Sequence, residues 1–473
     1  MSYDVIVLGS GFGGLICARQ LSQAGLRVLV LERESQPGGC LQCYRRGGFT
    51  FDTGFHYVGG LAPGQPLHEV FSELGLMRLP WHRLDPDGFD RVCIAGEQFC
   101  HAQGFDRFVE TLAAQFPAER SGLEAYTNLL RDLPPLEQSG GIPAYGYLCS
   151  LFRDPLLVDV LAATSMKLEL QRESLPLFTF AHVNSSFIQS SWRLRGGGEA
   201  VVHALLDDFR QAGGELLCHS EVCELVEHEG RLVAARCTNG EVYEARFFVS
   251  NIHPALTYDL VPQSSRLRPL FRRRIAALGN TGGMFTASLV LKPGSQPYFN
   301  HNKYIFRQAN VWNPAEPRPE SGGVDRVMVS CLLPESDGFT RQIDLITPLP
   351  WHLCQPWENT HIGRRGEDYR SMKQRLAAAC LELAETQMPG LSASVQQLYT
   401  STPLTWRDYT LTPKGSAFGI RKDCNQLLLT MLSPRTPLPN LLLTGQNLMV
   451  HGLEGVAMTA LQTVREVFAS LHS

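Results

Sequence analysis

The chain has 473 residues, 44% of them hydrophobic and 19% charged, with a formal net charge of −4. That length is too great for one simple core and makes two domains the prior, while the mild acidity argues against a general nucleic-acid binder. No run of about eighteen apolar residues occurs, which argues against a membrane-spanning helix, and the N-terminus enters a strand with no signal peptide ahead of it.

Asp4 to Leu8 is a short apolar run rich in β-branched residues and predicts a buried strand. Gly9, Gly11 and Gly14 follow it with G-x-G-x-x-G spacing, and Gly13 adds a fourth glycine. A helical pattern through Leu15, Ala18 and Leu21 closes at Gly25, a C-cap candidate. Arg27 to Leu31 predicts a second buried strand, which ends in Glu32. The glycines of the motif serve different ends. Gly9 permits a tight turn, Gly11 lets backbone approach a pyrophosphate, and Gly14 lets helix and strand pack closely. Free N–H groups at the helix start favour that anion. Glu32 is placed to accept hydrogen bonds from a ribose 2′-hydroxyl and disfavours the extra phosphate of NADP. Strand, glycines, helix, strand and acid in this order are the context that makes the motif a dinucleotide site.

The glycine pair Gly38 and Gly39 comes next, then a segment from Gly48 to Tyr57 that carries Asp52, Gly54 and His56. With Glu32, this pattern resembles the FAD-binding half of the flavoprotein family that includes amine oxidases, phytoene desaturases, carotenoid isomerases and retinol saturases. Phe51 to Gly59 is most similar to the carotenoid isomerase and retinol saturase branch, which carries a histidine after Asp-Thr-Gly. The resemblance implies that Gly54 lies beside the flavin ring and that His56 lines the substrate face. It also adds Arg33 to the cofactor residues. A histidine near a flavin can move a proton as a double bond changes; equally, it can hydrogen-bond locally and shape the wall. Cys40 and Cys43 form a C-x-x-C. No second pair follows at metal spacing, so small residues beside the cofactor are favoured over a redox pair or a metal site.

From Pro66 to Trp192 the periodicity is largely helical, broken by prolines and glycines between Pro134 and Pro143. Leu148 to Ala163 and Leu175 to Phe187 are apolar enough for a helical core or a substrate tunnel, with the core the safer reading. The Gly-rich turn after Arg195 precedes a helix over Ala200 to Gln211, and Gly214 to Val222 reads as a strand. By resemblance, Val222 backbone groups meet the adenine. Val226, Leu232 to Ala234 and Val242, with turns at Glu229-Gly230 and Asn239-Gly240, predict a small hairpin sheet. The G-x-G-x-x-G spacing does not recur, so no separate nicotinamide domain is expected. Arginines 266, 268, 272, 273 and 274 alternate with apolar residues, a pattern that fits either an anionic membrane surface or a solvated helix face. Beyond Gly279, strands at Phe285 to Leu291 and Arg326 to Leu332 and a helix over Asp368 to Gln387 are expected.

Leu441 to Thr444 predicts a buried strand that turns at Gly445 to Asn447, ahead of a helix over Val456 to Ser470. In the family such an element closes the cofactor site. The resemblance implies that Gly445 and Gln446 meet the pyrophosphate, and that Gly455, Val456 and Ala457 point a helix N-terminus at the flavin, where reduction adds negative charge. Glu454 departs from the apolar residue usual there and is read as a helix cap rather than an acid at the flavin.

The expected fold is α/β: a Rossmann-like FAD-binding domain of the amine oxidase and phytoene desaturase type (residues 1–65, 193–275 and 420–473) with a discontinuous α+β substrate domain (66–192 and 276–419). The expected activity is FAD-dependent redox or isomerising chemistry on C=C bonds of an apolar polyene or isoprenoid lipid, saturation or isomerisation ahead of desaturation because of His56. Amine oxidation and a flavin-free lipid escort of the same fold are the alternatives. Thirteen irregularly spaced cysteines predict reduced thiols and a cytoplasmic setting, with membrane-surface contact open. No motif names the electron donor, and neither a metal nor a nucleic-acid partner is expected.

Overall fold

The computed structural model describes residues 2–318, 323–334 and 338–471. Its first sheet has seven strands drawn from residues 3–31, 215–250 and 441–443. Tyr3–Leu8 pairs in parallel with Val28–Leu31 on one side and Val242–Ser250 on the other, and Leu441–Leu443 pairs in parallel with Val242–Ser250. Parallel strands are covered on both faces, which explains the unbroken apolar runs; Val5, Ile6 and Val7 have no accessible surface. Helices Phe12–Gln23, Gly197–Gln211 and Gly452–Leu471 pack on one face through Leu15, Leu205 and Val467. On the other face Ile6, Leu8 and Leu29 meet Leu225 and Leu232 from the antiparallel meander Val222–His228, Arg231–Cys237 and Val242–Ser250.

The second sheet also has seven strands, ordered 395–401, 283–291, 342–349, 326–331, 302–306, 90–94 and 97–101. Alternate residues face opposite ways along a strand. Phe285, Ala287, Val329 and Leu345 therefore pack under the helix Gly366–Glu385. Met284, Tyr304, Met328 and Ile346 face the helical block that runs to Leu177–Gln189. A small sheet of Val58–Gly59, Ser191–Leu194 and Trp81–Arg83 lies apart from both.

Several local expectations need correction. The stretch from Pro66 to Trp192 is largely helical, but it also holds strands that the periodicity does not mark: Trp81–Arg83, Asp90–Ile94 and Glu97–His101, the last two joined through Ala95 and Gly96, both at positive φ. Such a two-residue turn matches the twist of a hairpin. Leu148 to Ala163 is two helices, Ala144–Leu151 and Pro155–Ala162; Pro155 cannot continue the first, and Asp154 caps the second by accepting from Leu156 N–H at 2.9 Å. Gly214 to Val222 is not one strand. Glu215–Leu217 stops before His219, whose φ of 54° turns the chain, and Val222 opens a different strand. The arginine-rich helix spans only Pro269–Ala276; Leu270 stands exposed, while Arg272 folds back onto the carbonyls of Leu267, Tyr258 and Val261.

Candidate functional site

The first strand delivers the chain into a glycine turn at the head of the Phe12–Gln23 helix. Gly9 has φ +87°, a left-handed conformation that favours glycine. A Cβ on Gly14 would stand 2.2 Å from the Gly9 carbonyl oxygen, so helix and strand approach as closely as backbone permits. Three segments meet here. Gly11 bridges Gly38 in parallel, a Cβ on Gly39 would lie 3.0 Å from Gly11 Cα, and one on Gly13 would lie 3.2 Å from Gly445 Cα. Asn251, at the end of its strand, wedges between them: its side-chain amide lies 2.6–2.8 Å from the Cβ positions of Gly11, Gly13 and Gly445.

Glu32 clasps the same turn. Its Oε2 accepts from Ser10 N–H at 2.9 Å and Ser10 Oγ–H at 2.5 Å, and Oε1 accepts from Glu34 N–H at 2.8 Å. A carboxylate has about four lone-pair directions, so three bonds leave one for a further donor. Ser220 N–H donates to the Glu32 carbonyl at 2.8 Å, which brings the segment leading into Val222 alongside Glu32. Arg33 turns elsewhere: its Nη2 donates to the Asp408 carbonyl at 2.7 Å and pairs with Glu34.

The head of the Phe12–Gln23 helix has no side-chain cap and no acidic residue in its first turn. Its orphan N–H groups and positive dipole end suit a bound anion. Glycines where a Cβ would fill the cradle, an uncapped helix start and a carboxylate with acceptor capacity together fit the pyrophosphate and ribose of FAD.

At the far end of this crevice, a Cβ on Gly54 would meet the Cys40 carbonyl oxygen and Trp406 Cη2, each at 3.0 Å. The C-terminal helix starts at Gly452 rather than Val456, and so Gly455 belongs to its first turn. Gly455 is needed for contact: a Cβ there would come within 2.2 Å of the Val450 carbonyl oxygen. Val456 and Ala457 are buried one step further along. Gln446 packs against Gly419. Glu454 does not cap the helix; its Oε2 accepts from Ser186 Oγ–H at 2.5 Å, which ties the C-terminal helix to Leu177–Gln189. Burial pushes its carboxyl above the usual range.

His56 Nδ1 lies 3.9 Å from Asp344 Oδ2, beyond hydrogen-bond length. Burial, then the charge of Arg193, lowers the imidazole to about 4, so it is neutral at physiological pH. Burial raises Asp344 to about 7, although Ser288 Oγ–H donates to its Oδ1 at 2.6 Å; Tyr44 O–H donates to Ser288 Oγ at 3.1 Å. His56, Tyr57, Lys167 and His451 are each half-buried rather than fully packed. Cys40 and Cys43 are free thiols, both raised by burial, Cys40 to about 11. Neither is a thiolate at neutral pH, the form a reactive pair needs. Among the described residues no group of three His, Cys, Asp or Glu could hold a metal ion, and no helix is long and apolar enough to cross a membrane.

Sequence reasoning missed Ser10, Asn251 and Asp344. Ser10 carries a signal only by lying inside the glycine motif, and Asn251 only by ending a strand. Asp344 lies in an apolar strand where nothing local marks it.

This fold, with its glycine turn, clasping acid and closing C-terminal helix, is that of an FAD-dependent oxidoreductase. The sequence profile of the family described as flavin containing amine oxidoreductase matches residues 12–468, and the chain belongs to that family. It is 25% identical over 517 aligned residues to the all-trans-retinol 13,14-reductase of Homo sapiens, covering 97% of this chain and 84% of that one. It is 22% identical over 527 residues to the chloroplastic prolycopene isomerase of Arabidopsis thaliana, covering 99% and 83%. A crystal structure of an oxidoreductase from Methanosarcina mazei shares the fold with a TM-score of 0.69 at 16% identity, covering 98% of this chain and all of that one.

Proposed function

We propose that this oxidoreductase acts on C=C bonds of an apolar polyene or isoprenoid lipid, by saturation or isomerisation rather than desaturation. The observation that carries the reading is the near end-to-end likeness to relatives named for retinol reduction and prolycopene isomerisation. Residues 1–65, 193–275 and 420–473 hold the cofactor, and the remainder encloses the substrate. Gly9, Gly11, Gly13, Gly14, Gly38, Gly39, Gly445 and Gln446 cradle the pyrophosphate; Glu32 receives the ribose hydroxyls, Arg33 acts only through its pair with Glu34, and Val222 borders the adenine. Gly54, Gly455, Val456 and Ala457 lie along the flavin, and His56 faces the substrate.

Bound there, FAD supplies a ring able to take up or return a hydride. The protein's own contribution is orientation, exclusion of water and control of a proton. His56 is neutral and so can accept a proton or pass one on, but does not stand as a charged donor. Asp344 is divided between its two protonation states near pH 7 and serves as the reserve beside it.

The test is to reduce the flavin of the holoprotein anaerobically and offer polyenes, retinoids and amines in turn. Reoxidation by a polyene and by no amine is the expected result. Bleaching of the oxidised flavin by an amine would overturn the reading in favour of amine oxidation.

A further inference from the structure

Lys422 is buried and Lys167 half-buried, and they are partnered very differently. Lys422 Nζ donates to the carbonyls of Thr430, Asn447 and Leu448 at 2.8–2.9 Å, which uses all three of its donors. Lys167, on the short turn Ala163–Leu168, makes one long hydrogen bond, to Tyr57 Oη at 3.4 Å. Its ammonium otherwise rests on the Phe187 ring, 3.4 Å from the centroid. Among the described residues no carboxylate lies within ion-pair distance of it. Asp90 acts on it through space from beyond ion-pair distance; the Tyr57 hydroxyl donates to Asp90 Oδ2 at 2.9 Å, while Asn302 Nδ2–H donates to Oδ1 at 2.8 Å. The Tyr304 hydroxyl is 2.9 Å from that of Tyr57.

A second polar group in the same region also lacks a partner. His451 stands just ahead of the C-terminal helix with its ring against Phe418, and its Nε2 is buried without any hydrogen bond. Burial, then the charges of Lys167 and Lys422, lowers this imidazole to about 3, so it is neutral. Buried polar groups are nearly always satisfied, and exceptions call for a reason. Lys167 also keeps accessible surface and donor capacity beyond its Tyr57 bond, whereas the Tyr57 hydroxyl is saturated, its proton on Asp90 and its oxygen beside Lys167 and the Tyr304 hydroxyl.

We propose that Lys167, positioned by its bond to the Tyr57 hydroxyl, forms a polar subsite that receives a terminal oxygen of the apolar substrate, a hydroxyl or carboxylate, while Phe187 and Phe418 pack the adjoining hydrocarbon. His451 supplies a further neutral nitrogen to the same oxygen. The subsite rests on the polyene reading and narrows it to polyenes with an oxygen at one end. Burial lowers Lys167 to about 7, with Asp90 opposing the shift, and its charged form disfavours an ammonium ligand, as like charges repel in a medium of low dielectric.

The test uses oxidised holoprotein and measures equilibrium binding of all-trans-retinoic acid, all-trans-retinol and axerophthene, the same chain without oxygen. Lys167→Met should weaken retinoic acid about tenfold or more, the usual size of a hydrogen bond to a charged group, and retinol less, with axerophthene unchanged. Tyr57→Phe should give a smaller loss, again confined to the two oxygenated ligands, and Lys167→Arg should retain most retinoic acid binding. Flavin content and unfolding midpoint identify any variant that has lost the fold, in which case the remaining two decide. Equal losses for all three ligands, or none for either oxygenated one, overturn the subsite and leave the polyene reading standing. If wild type binds none of the three, both fall.

Discussion

At the scale of single residues, the chemistry gathers around a carboxyl group that has been driven out of its ordinary range. Asp344 is raised to about 7, mainly by burial, with the nearby Asp52 adding to the shift and the Ser288 hydrogen bond opposing it. The folded chain therefore holds this proton more tightly than the unfolded chain, whose aspartate titrates at 3.8. The resulting stabilisation is fully present below pH 3.8 and is lost as the pH rises through about 7. Asp344→Asn keeps a neutral side chain of the same shape at every pH and removes that loss. Denaturant unfolding at pH 5 and pH 8 should show wild type losing about 1–2 kcal/mol more than the variant over this interval, against a ceiling of about 1.4 kcal/mol per unit of pH between the two values. Identical slopes would mean that Asp344 titrates normally and cannot act as a proton reserve. His56, the histidine singled out by the motif, is neutral and lies 3.9 Å from Asp344, a neighbour in the second sheet and far along the chain, and only the folded structure reveals that proximity.

At the scale of elements, the piece that decides the site is the turn from Gly445 to His451, between the last strand and the C-terminal helix. Lys422 organises it by donating to Asn447 and Leu448 carbonyls on one side and Thr430 on the other. Lys422→Met would leave the Thr430 and Asn447 carbonyls without a donor, at about 1–3 kcal/mol each, while Leu448 still accepts from Leu432 N–H at 2.9 Å; the loss is partly offset by no longer desolvating a cation. A net destabilisation of about 2–4 kcal/mol in urea unfolding is expected, together with a lower flavin content after purification; a variant as stable and as yellow as wild type would remove Lys422 from the support of this turn. How legible such elements are in the sequence follows from how local their causes are. The first strand, glycine turn, helix and second strand are legible because period, turn chemistry and burial all agree within thirty residues. Hairpins marked by Asn-Gly or Glu-Gly are legible for the same reason, whereas Asp90–Ile94 and Glu97–His101 are hidden by a turn whose first residue is Ala95. The start of the C-terminal helix is obscured because Gly452 and Gly455 look like breakers, although Gly455 is there for contact with Val450. Lys422 and Lys167 are not legible at all, since their partners come from other segments and surface lysines carry the same local signal.

At the scale of the whole molecule, both ends of the chain close on one crevice. Tyr3–Leu8 and Leu441–Leu443 flank Val242–Ser250 in one sheet, and the first and last helices touch where Cys17 Sγ–H lies 3.7 Å from Thr444 Oγ1 and 3.5 Å from the Ala460 carbonyl oxygen. A ligand held between these ends binds the folded chain and not the unfolded one, and so stabilises it by RT ln(1 + [L]/Kd). Apoprotein titrated with FAD should gain about 2.7 kcal/mol when free FAD reaches a hundred times its Kd, seen as a rising unfolding midpoint. Gly14→Ala separates the ligand's contribution from the chain's own. Its methyl group would come within 2.2 Å of the Gly9 carbonyl oxygen, so the glycine turn must shift away from the helix start. The variant should lose about 1–3 kcal/mol without FAD, the usual range for overpacking, and also lose the gain on adding it. If Gly14→Ala kept the full FAD-dependent gain, the glycine turn would not be where the dinucleotide is gripped, and the coupling of the two chain ends through it would have to be abandoned.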